Sequence, residues 1–158
     1  MSLYCLDTGV LIEPWNKYYS PEICPNYWDI LDKLAKEERV FCTIEVKKEL
    51  EKIDDGLYGW VKERPHLFRE ITDEVNQNML KIMASHPELV KENKGRSMAD
   101  PWVIAHAMAE NAIVVTTEMP GSRKIKIPDV CAAYNVPWIQ ETDFAREINV
   151  HFSAQIEE

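Results

Sequence analysis

Short apolar runs alternate with longer segments of helical periodicity along the chain. The apolar runs SLYCL, RVFCT, AIVVT and VPWIQ predict strands, and the segment PNYWDILDKLAKEE carries a helical stripe of Tyr27, Ile30, Leu31 and Leu34. Nearly continuous apolar strands separated by helices are typical of a parallel sheet that is covered on both faces. The pattern therefore predicts an α/β fold, with a central and mainly parallel sheet between two helical layers.

The remaining segments predict further helices. These are TGVLIEPW, IEVKKELEKI, a segment that begins near Asp100, PDVCAAY and ETDFAREI, with additional helices in residues 57 to 92 that break near Pro65 and Pro87. No internal repeat, low-complexity tract or linker divides the 158 residues. We expect a single domain over residues 1–158, with a helical elaboration around 57–92.

Composition narrows the class of protein. The chain is 46% hydrophobic and 28% charged, which is usual for a soluble globular domain, and no apolar run has the length of a membrane span. Its first residues, MSLYCLDTGVLIE, have no basic region of the kind that opens a secretory signal. We expect a cytoplasmic protein. Its four cysteines form no CxxC pair, and their mostly apolar surroundings favour buried free thiols over a zinc site or disulfides.

The net charge of −9 argues against a protein that holds nucleic acid by general electrostatic attraction. An enzyme acting on nucleic acid remains compatible with this charge, because bound divalent cations would cancel part of an acidic cluster. Two basic segments could guide such a substrate, and they contain Lys91, Lys94 and Arg96 in one case and Arg123, Lys124 and Lys126 in the other. Two solvated loops explain the same residues equally well.

Acidic residues occur where the predicted sheet would bind a ligand, at the carboxyl ends of its strands. Asp7 follows the first predicted strand, Glu118 follows AIVVTT, and Asp100 opens the helix that leads into that strand. Asp100 also has an ordinary explanation, because Asp is a preferred N-cap and Pro101 would then take the first helical position. The two explanations are compatible, since one carboxylate oxygen can cap the helix while the other faces a metal.

A fourth acidic candidate comes from helical phase. Val46, Leu50 and Ile53 are the expected buried stripe of IEVKKELEKI. At about 100° per residue, Glu49 lies roughly 70° from the centre of this stripe, nearer than the other glutamates of the helix. Glu49 can therefore reach over the edge of the core, although many surface glutamates beside an apolar stripe simply extend into water.

Four motifs in this order resemble those of PIN-domain nucleases, including VapC-type toxin ribonucleases. They are LDTGVLI, VKKEL, ADPWVIAHA and VVTTE, and the resemblance extends from residue 3 to about residue 140. The segment KIPDVC, after the last acidic motif, is similar to a bacterial PIN-like subgroup. The resemblance implies a PIN-like, Rossmann-like three-layer α/β/α fold and a cytoplasmic ribonuclease that hydrolyses RNA phosphodiester bonds.

The resemblance also implies a set of site residues. The acidic cluster would consist of Asp7, Glu49, Asp100 and Glu118, with Thr8 and Thr116 as neighbouring polar groups. Candidate substrate-binding residues are these two threonines together with Lys94, Arg96, Arg123 and Lys124. Glu118 departs from the family pattern, which more often has Asp after the threonine at the strand end, so the extra methylene would change metal spacing.

Carboxylates suit this chemistry because hard cations prefer oxygen ligands, and bound Mg²⁺ or Mn²⁺ can activate water and neutralise developing charge on a phosphodiester. We expect Asp7 and Asp100 to be the central metal ligands. Glu118 would bind the metal directly or through water, and Glu49 would direct a water or a second ion. As the toxin of a toxin–antitoxin pair, the protein would also bind an antitoxin protein and could form a homodimer.

Other chemistries fit the sequence less well. The four histidines show no paired metal-ligand spacing, and there is no GxSxG, GxxxxGK or GxGxxG motif. The alternative from a different class is a catalytically inactive PIN-like module that binds RNA or protein. Its contacts could come from the five tryptophans, although most tryptophans in a domain of this size belong to the core.

Overall fold

A five-stranded parallel sheet forms the centre of the protein in the computed structural model, which describes residues 2–53, 56–91, 98–121 and 123–157, except for the side chains of residues 90 and 91. The strands of this sheet are β1 (Tyr4–Leu6), β2 (Val40–Thr43), β3 (Phe68–Arg69), β4 (Ile113–Thr116) and β5 (Trp138–Gln140). Their spatial order is β3-β2-β1-β4-β5, and every neighbouring pair is parallel. The chain thus builds the sheet outward from β1 in one direction and, after β3, from β4 in the other.

Helices connect the strands, as parallel pairing requires. Those in the described part of the chain are α1 (Gly9–Glu13), α2 (Pro25–Lys36), α3 (Ile44–Glu51), α4 (Gly56–Lys62), α5 (Asp73–Ser85), α6 (Glu88–Lys91), α7 (Asp100–Glu110), α8 (Ile127–Ala133) and α9 (Glu141–Glu147). Helix α1 continues into a π-helical turn, Pro14–Tyr18, and a 3₁₀ turn, Pro65–Leu67, precedes β3.

The two faces of the sheet are covered by different helices. Successive residues of a strand point to opposite faces. On β1, the Tyr4 ring packs edge-on against Phe144 of α9, whereas the Cys5 thiol donates to the backbone carbonyl of Val103 in α7 at 3.7 Å. Helices α9 and α7 therefore lie on opposite sides of the sheet, which confirms the predicted three-layer α/β/α architecture. Both layers pack against one continuous apolar core.

Helix α7 is the central helix of its layer and packs against β1, β2 and β4. Most of its residues are buried, because α7 also packs against α5, α6 and α8. The side-chain amide of Asn78 in α5 donates to the carbonyl of Ala105 at 3.2 Å. A helix packed against so many neighbours has little freedom to shift, so its first residues keep a fixed position relative to the strands.

The structure corrects three details of the prediction. Residues 57 to 92 contain helices, as expected, but also the short edge strand β3, which is too brief for a periodic signal. Helix α3 ends at Glu51, so the helical stripe does not extend to Ile53, which is 39% exposed. Asp100 is the first residue of α7 rather than its N-cap, since the carbonyl of Ala99 accepts the first helical hydrogen bond, from Val103 at 2.9 Å.

Two further features match the sequence analysis. Cys5, Cys42 and Cys131 are buried free thiols, and Cys24 is a half-buried one. Within the described ranges, no helix combines the length and apolar character needed to cross a membrane.

Candidate active site

The strand order creates a crevice at the carboxyl ends of the central strands β1 and β4. Strands β1 and β4 are neighbours, but the chain continues from them in opposite directions across the sheet. After β1 it forms β2 on one side of the pair, and after β4 it forms β5 on the other side. In open α/β sheets, ligands bind at such a switch point, outside the carboxyl ends of the strands. Asp7 follows β1 here, and Thr116 ends β4.

An open cavity of about 350 Å³ lies at this switch point. Its lining residues come from the ends of β1 and β4, from α1, from α3 and the residues after it, and from the start of α7. They are Asp7, Thr8, Gly9, Ile12, Glu49, Lys52, Ile53, Met98, Asp100, Thr117 and Glu118. The lining includes all four acidic candidates identified from the sequence. Chain segments far apart in sequence therefore bring these carboxylates to one cavity.

Asp7 is held in a fixed orientation below the cavity. Its side chain is buried, with the residue 4% exposed. One carboxylate oxygen accepts the Thr8 backbone N–H at 2.7 Å, and the other accepts the Thr116 hydroxyl at 3.1 Å. Burial, followed by the negative charge of Glu118, raises the pKa of Asp7 from 3.8 to about 7, against the lowering effect of the two hydrogen bonds.

Asp100 lines the same cavity from the helical layer that contains α7. It is 2% exposed, and it opens α7 with Pro101 following at the second helical position. Because α7 packs against the sheet and against α5, α6 and α8, the position of its first residue is determined by core packing. Asp7 and Asp100 therefore place two buried carboxylates at one cavity that Glu49 and Glu118 also line, which makes this cavity the candidate functional site.

Glu49 of helix α3 accepts hydrogen bonds from two other segments of the site. One of its carboxylate oxygens accepts the Thr8 hydroxyl at 2.8 Å, and the other accepts the backbone N–H of Ala99 at 2.9 Å. These two bonds connect the loop after Asp7 to α3 and to the start of α7. A single side chain therefore joins three of the elements that form the cavity.

Glu118 closes the site on the β4 side. Its backbone N–H donates to the Thr116 hydroxyl oxygen at 3.1 Å, and its carboxylate accepts the backbone N–H of Ile127, the first residue of α8, at 2.9 Å. The side-chain amide of Gln140 donates to the Glu118 carbonyl at 3.1 Å. This residue thus has a structural role at the start of α8 in addition to lining the cavity.

The donors at the cavity are suited to a hard cation. All four are carboxylates, and the charges of Glu118 and Glu49 both oppose ionisation of Asp7, an electrostatic cost that a bound cation would remove. Across the residues described by the structure, no three His, Cys, Asp or Glu side chains are already gathered around one metal position. Carboxylate oxygens are the ligands that Mg²⁺ takes in proteins, usually one or two of them beside several waters.

The predicted substrate-binding residues do not all lie at the cavity. Lys94 and Arg96 lie outside the described residues. Arg123 and Lys124 are exposed and are not part of the cavity lining. Thr8 lines the cavity, whereas Thr116 is fully buried, and both hydroxyls bond to acidic site residues.

Sequence reasoning missed several residues of the cavity. A Cβ atom built on Gly9 would lie 2.7 Å from the Thr117 hydroxyl oxygen, so glycine is needed where α1 approaches the end of β4. Lys52 could have been found from helical spacing, because it follows Glu49 by three residues and so shares its face. Ile53 and Met98 lie in irregular backbone, and no periodic pattern identifies such positions.

Two solved structures have a fold similar to that of this chain. One is VapBC2 from Rickettsia felis bound to a DNA fragment from its promoter, at a TM-score of 0.52 and 17% identity, covering 87% of this chain and 98% of that chain. Another is VapBC-1 from nontypeable Haemophilus influenzae, at a TM-score of 0.51 and 14% identity, covering 89% of this chain and 98% of that chain. At these identities the likeness concerns the fold alone, and it supports a PIN-like fold.

A match to a sequence family covers almost the entire chain. A family model described as Domain of unknown function (DUF4411) matches residues 4–152, which is nearly the whole chain, and the protein belongs to this family. No curated protein matches the chain.

Proposed function

We propose that the protein is a Mg²⁺- or Mn²⁺-dependent endoribonuclease. The observation that carries this proposal is that two almost fully buried carboxylates, Asp7 at the end of β1 and Asp100 at the start of α7, line one open cavity at the switch point of the sheet. Burial and the charges of Glu118 and Glu49 disfavour ionisation of Asp7, and a bound cation would offset this cost. The PIN-like fold supports a nuclease, and the resemblance of the acidic motifs to PIN-domain nucleases supports RNA as the substrate.

Asp7 and Asp100 would hold the metal, and Glu118 would contribute directly or through a water molecule. The bound ion would activate the attacking water and neutralise charge on the phosphate. Thr8 and Thr116 orient the Asp7 carboxylate through the hydrogen bonds described above. Because their polar groups bond to site residues, we assign these threonines to positioning rather than to substrate contact.

Glu49 has a different role in this proposal. Each of its carboxylate oxygens already accepts a hydrogen bond, from Thr8 and from Ala99. Each oxygen can accept a second bond, so Glu49 could still orient a water beside the metal. Its first effect is to hold the loop after Asp7 against the start of α7. Removal of Glu49 should therefore loosen the geometry of both central aspartates.

We also propose that the protein acts as the toxin of a toxin–antitoxin pair. The two structural neighbours reported above are both VapBC assemblies, and the chain shares its fold with them. The cavity is open and its rim carries the exposed side chains of Ile53 and Met98. An antitoxin protein could cover this rim and so block the site. Co-expression with the product of a neighbouring gene, followed by purification, would test for a stable complex.

The test of the catalytic proposal compares two aspartates at equivalent helix positions. Asp100 and Asp73 are each the first residue of a helix, but only Asp100 lines the cavity. Calorimetric titration with Mn²⁺ should show saturable binding for the wild type and for Asp73→Asn, and none for Asp100→Asn. RNA cleavage should fall by at least about 100-fold in Asp100→Asn alone, the size of effect expected when several kcal/mol of charge stabilisation are removed.

Circular dichroism should confirm that all three proteins are folded. If Asp100→Asn cleaves RNA as well as the wild type does, the proposed site is wrong. If the wild type binds RNA without cleaving it at any metal concentration, the second candidate function, an inactive PIN-like binding module, is correct instead. That candidate is favoured by one observation, namely that no three side chains in the described ranges form a ready metal site.

A further inference from the structure

The cavity is strongly acidic, although its proposed substrate is a polyanion. Four carboxylates line it, and the single cationic side chain among its described lining residues is that of Lys52. A bound divalent cation would offset only part of the negative charge. A substrate phosphate approaching the rim would still meet repulsion unless a local positive charge attracted it. Lys52 is placed to provide that charge.

Lys52 caps the carboxyl-terminal end of α3, where it is exposed at the rim of the cavity. It lies three residues after Glu49, so the two side chains leave the same face of the helix. The Glu49 oxygens accept the Thr8 hydroxyl and the Ala99 N–H, both of which lie at the cavity and not toward the end of α3. Glu49 is thus directed into the site, and Lys52 remains at its edge.

The other lysines of α3 are engaged elsewhere. The Lys47 ammonium lies 5.8 Å from the centre of the Phe68 ring, and Lys48 forms an ion pair with Glu45 at 3.0 Å. No hydrogen bond or ion pair of the Lys52 ammonium is found among the residues that the structure describes. Of these three lysines, Lys52 alone combines a place at the cavity with an ammonium available for a ligand.

We propose that Lys52 is a substrate-binding residue that contacts a phosphate of the nucleic acid at the rim of the cavity. This inference rests on the proposed nuclease function and adds a residue to it. A lysine ammonium acts as a flexible point charge, so its contribution should be largely independent of base sequence. Its loss should therefore weaken binding to all RNA sequences by a similar factor and should leave the chemical step nearly unchanged.

The experiment uses two lysine variants of the same helix. Binding of a fluorescently labelled RNA oligonucleotide is measured by anisotropy in an Asp100→Asn background, which prevents cleavage, between about 50 and 200 mM salt. We expect Lys52→Gln to weaken binding about threefold to tenfold at the lowest salt and to make the slope of log K against log salt less negative by about 0.7. Lys48→Gln should behave like the parent protein, and Lys52→Arg should restore most of the affinity.

Steady-state kinetics in the cleaving protein provide a second readout. Lys52→Gln should raise KM and change kcat little, because the lost contact is present both in the bound substrate and in the transition state. If Lys52→Gln matches Lys48→Gln in affinity and salt slope while the wild type cleaves RNA, this inference is overturned and the nuclease function stands. If the wild type neither binds nor cleaves RNA, both proposals fall together.

Discussion

Replacement of Asp7 by Asn should stabilise the metal-free protein at neutral and alkaline pH. Burial, together with the charge of Glu118, raises the pKa of Asp7 from 3.8 to about 7 in the folded state. Between pH 3.8 and about pH 7, Asp7 has lost its proton in the unfolded chain but retains it in the folded chain. This group therefore makes no unfavourable contribution below about pH 4, and it lowers stability progressively as the pH rises to about 7.

The size of the effect follows from the two pKa values. Each pH unit between 3.8 and about 7 corresponds to about 1.36 kcal/mol, so ionised Asp7 opposes folding by roughly 4 kcal/mol above pH 7. Asparagine cannot ionise, and its carbonyl can still accept the Thr8 N–H. Its amide must donate to Thr116, whose hydroxyl has to rotate, at a cost of about 1 kcal/mol. We expect a net gain of about 2–3 kcal/mol at pH 8.

The assay is urea unfolding of wild type and Asp7→Asn in EDTA, from pH 4 to pH 8, followed by circular dichroism. At pH 4 the variant should be less stable than the wild type by up to about 1 kcal/mol, because the cost of rotating the Thr116 hydroxyl is then hardly offset; the difference should change sign as the pH rises and level off above about pH 7. A thermal scan at pH 8 should show a midpoint higher by roughly 5–10 °C in the variant. A variant that is less stable than the wild type at pH 8, or a difference that is constant across this range, would refute the reasoning.

Two further predictions concern the same site. The Mn²⁺ affinity of the wild type should fall by up to about tenfold for each pH unit below about 7, because binding must displace the Asp7 proton, whose pKa is raised to about 7. Calorimetry in buffers of different ionisation enthalpy measures the proton release. An affinity that does not change with pH would contradict this prediction. Gly9→Ala should destabilise the protein by about 1–3 kcal/mol and reduce cleavage, because its Cβ atom would meet the Thr117 hydroxyl at 2.7 Å. Gly59→Ala is the matched control, since the added Cβ on Gly59 meets nothing within 4 Å, and thermal unfolding should show it unchanged or stabilised by up to about 1 kcal/mol.

Much of the fold could be predicted because its signals are local. The apolar runs that became β1, β2, β4 and β5 are recognisable without tertiary information, as is the helical stripe of α2. Strand β3 was missed because two residues cannot show a period. Its place at the edge of the sheet depends on pairing with β2, which is a contact between distant parts of the chain.

The candidate site shows the same division. Asp7 and Glu118 were recognisable because each follows a predicted strand, and Asp100 because it opens a helix. Met98 was not identified, since its proximity to these carboxylates depends on how α7 packs against the sheet, whereas Lys52 was overlooked although it shares a helical face with Glu49. The partners of Glu49 were equally hidden, because Ala99 lies fifty residues away along the chain.

The sequence alone therefore determined the α/β class, the order of the main elements and the positions of the acidic residues at their ends, since these depend on periodicity and on short-range propensity. Only the tertiary structure decided that the four carboxylates share one cavity, that burial raises the pKa of Asp7, and that Lys52 lies at the rim. Those properties arise from distances between elements and from exclusion of water. Neither quantity is encoded in any single segment of the chain.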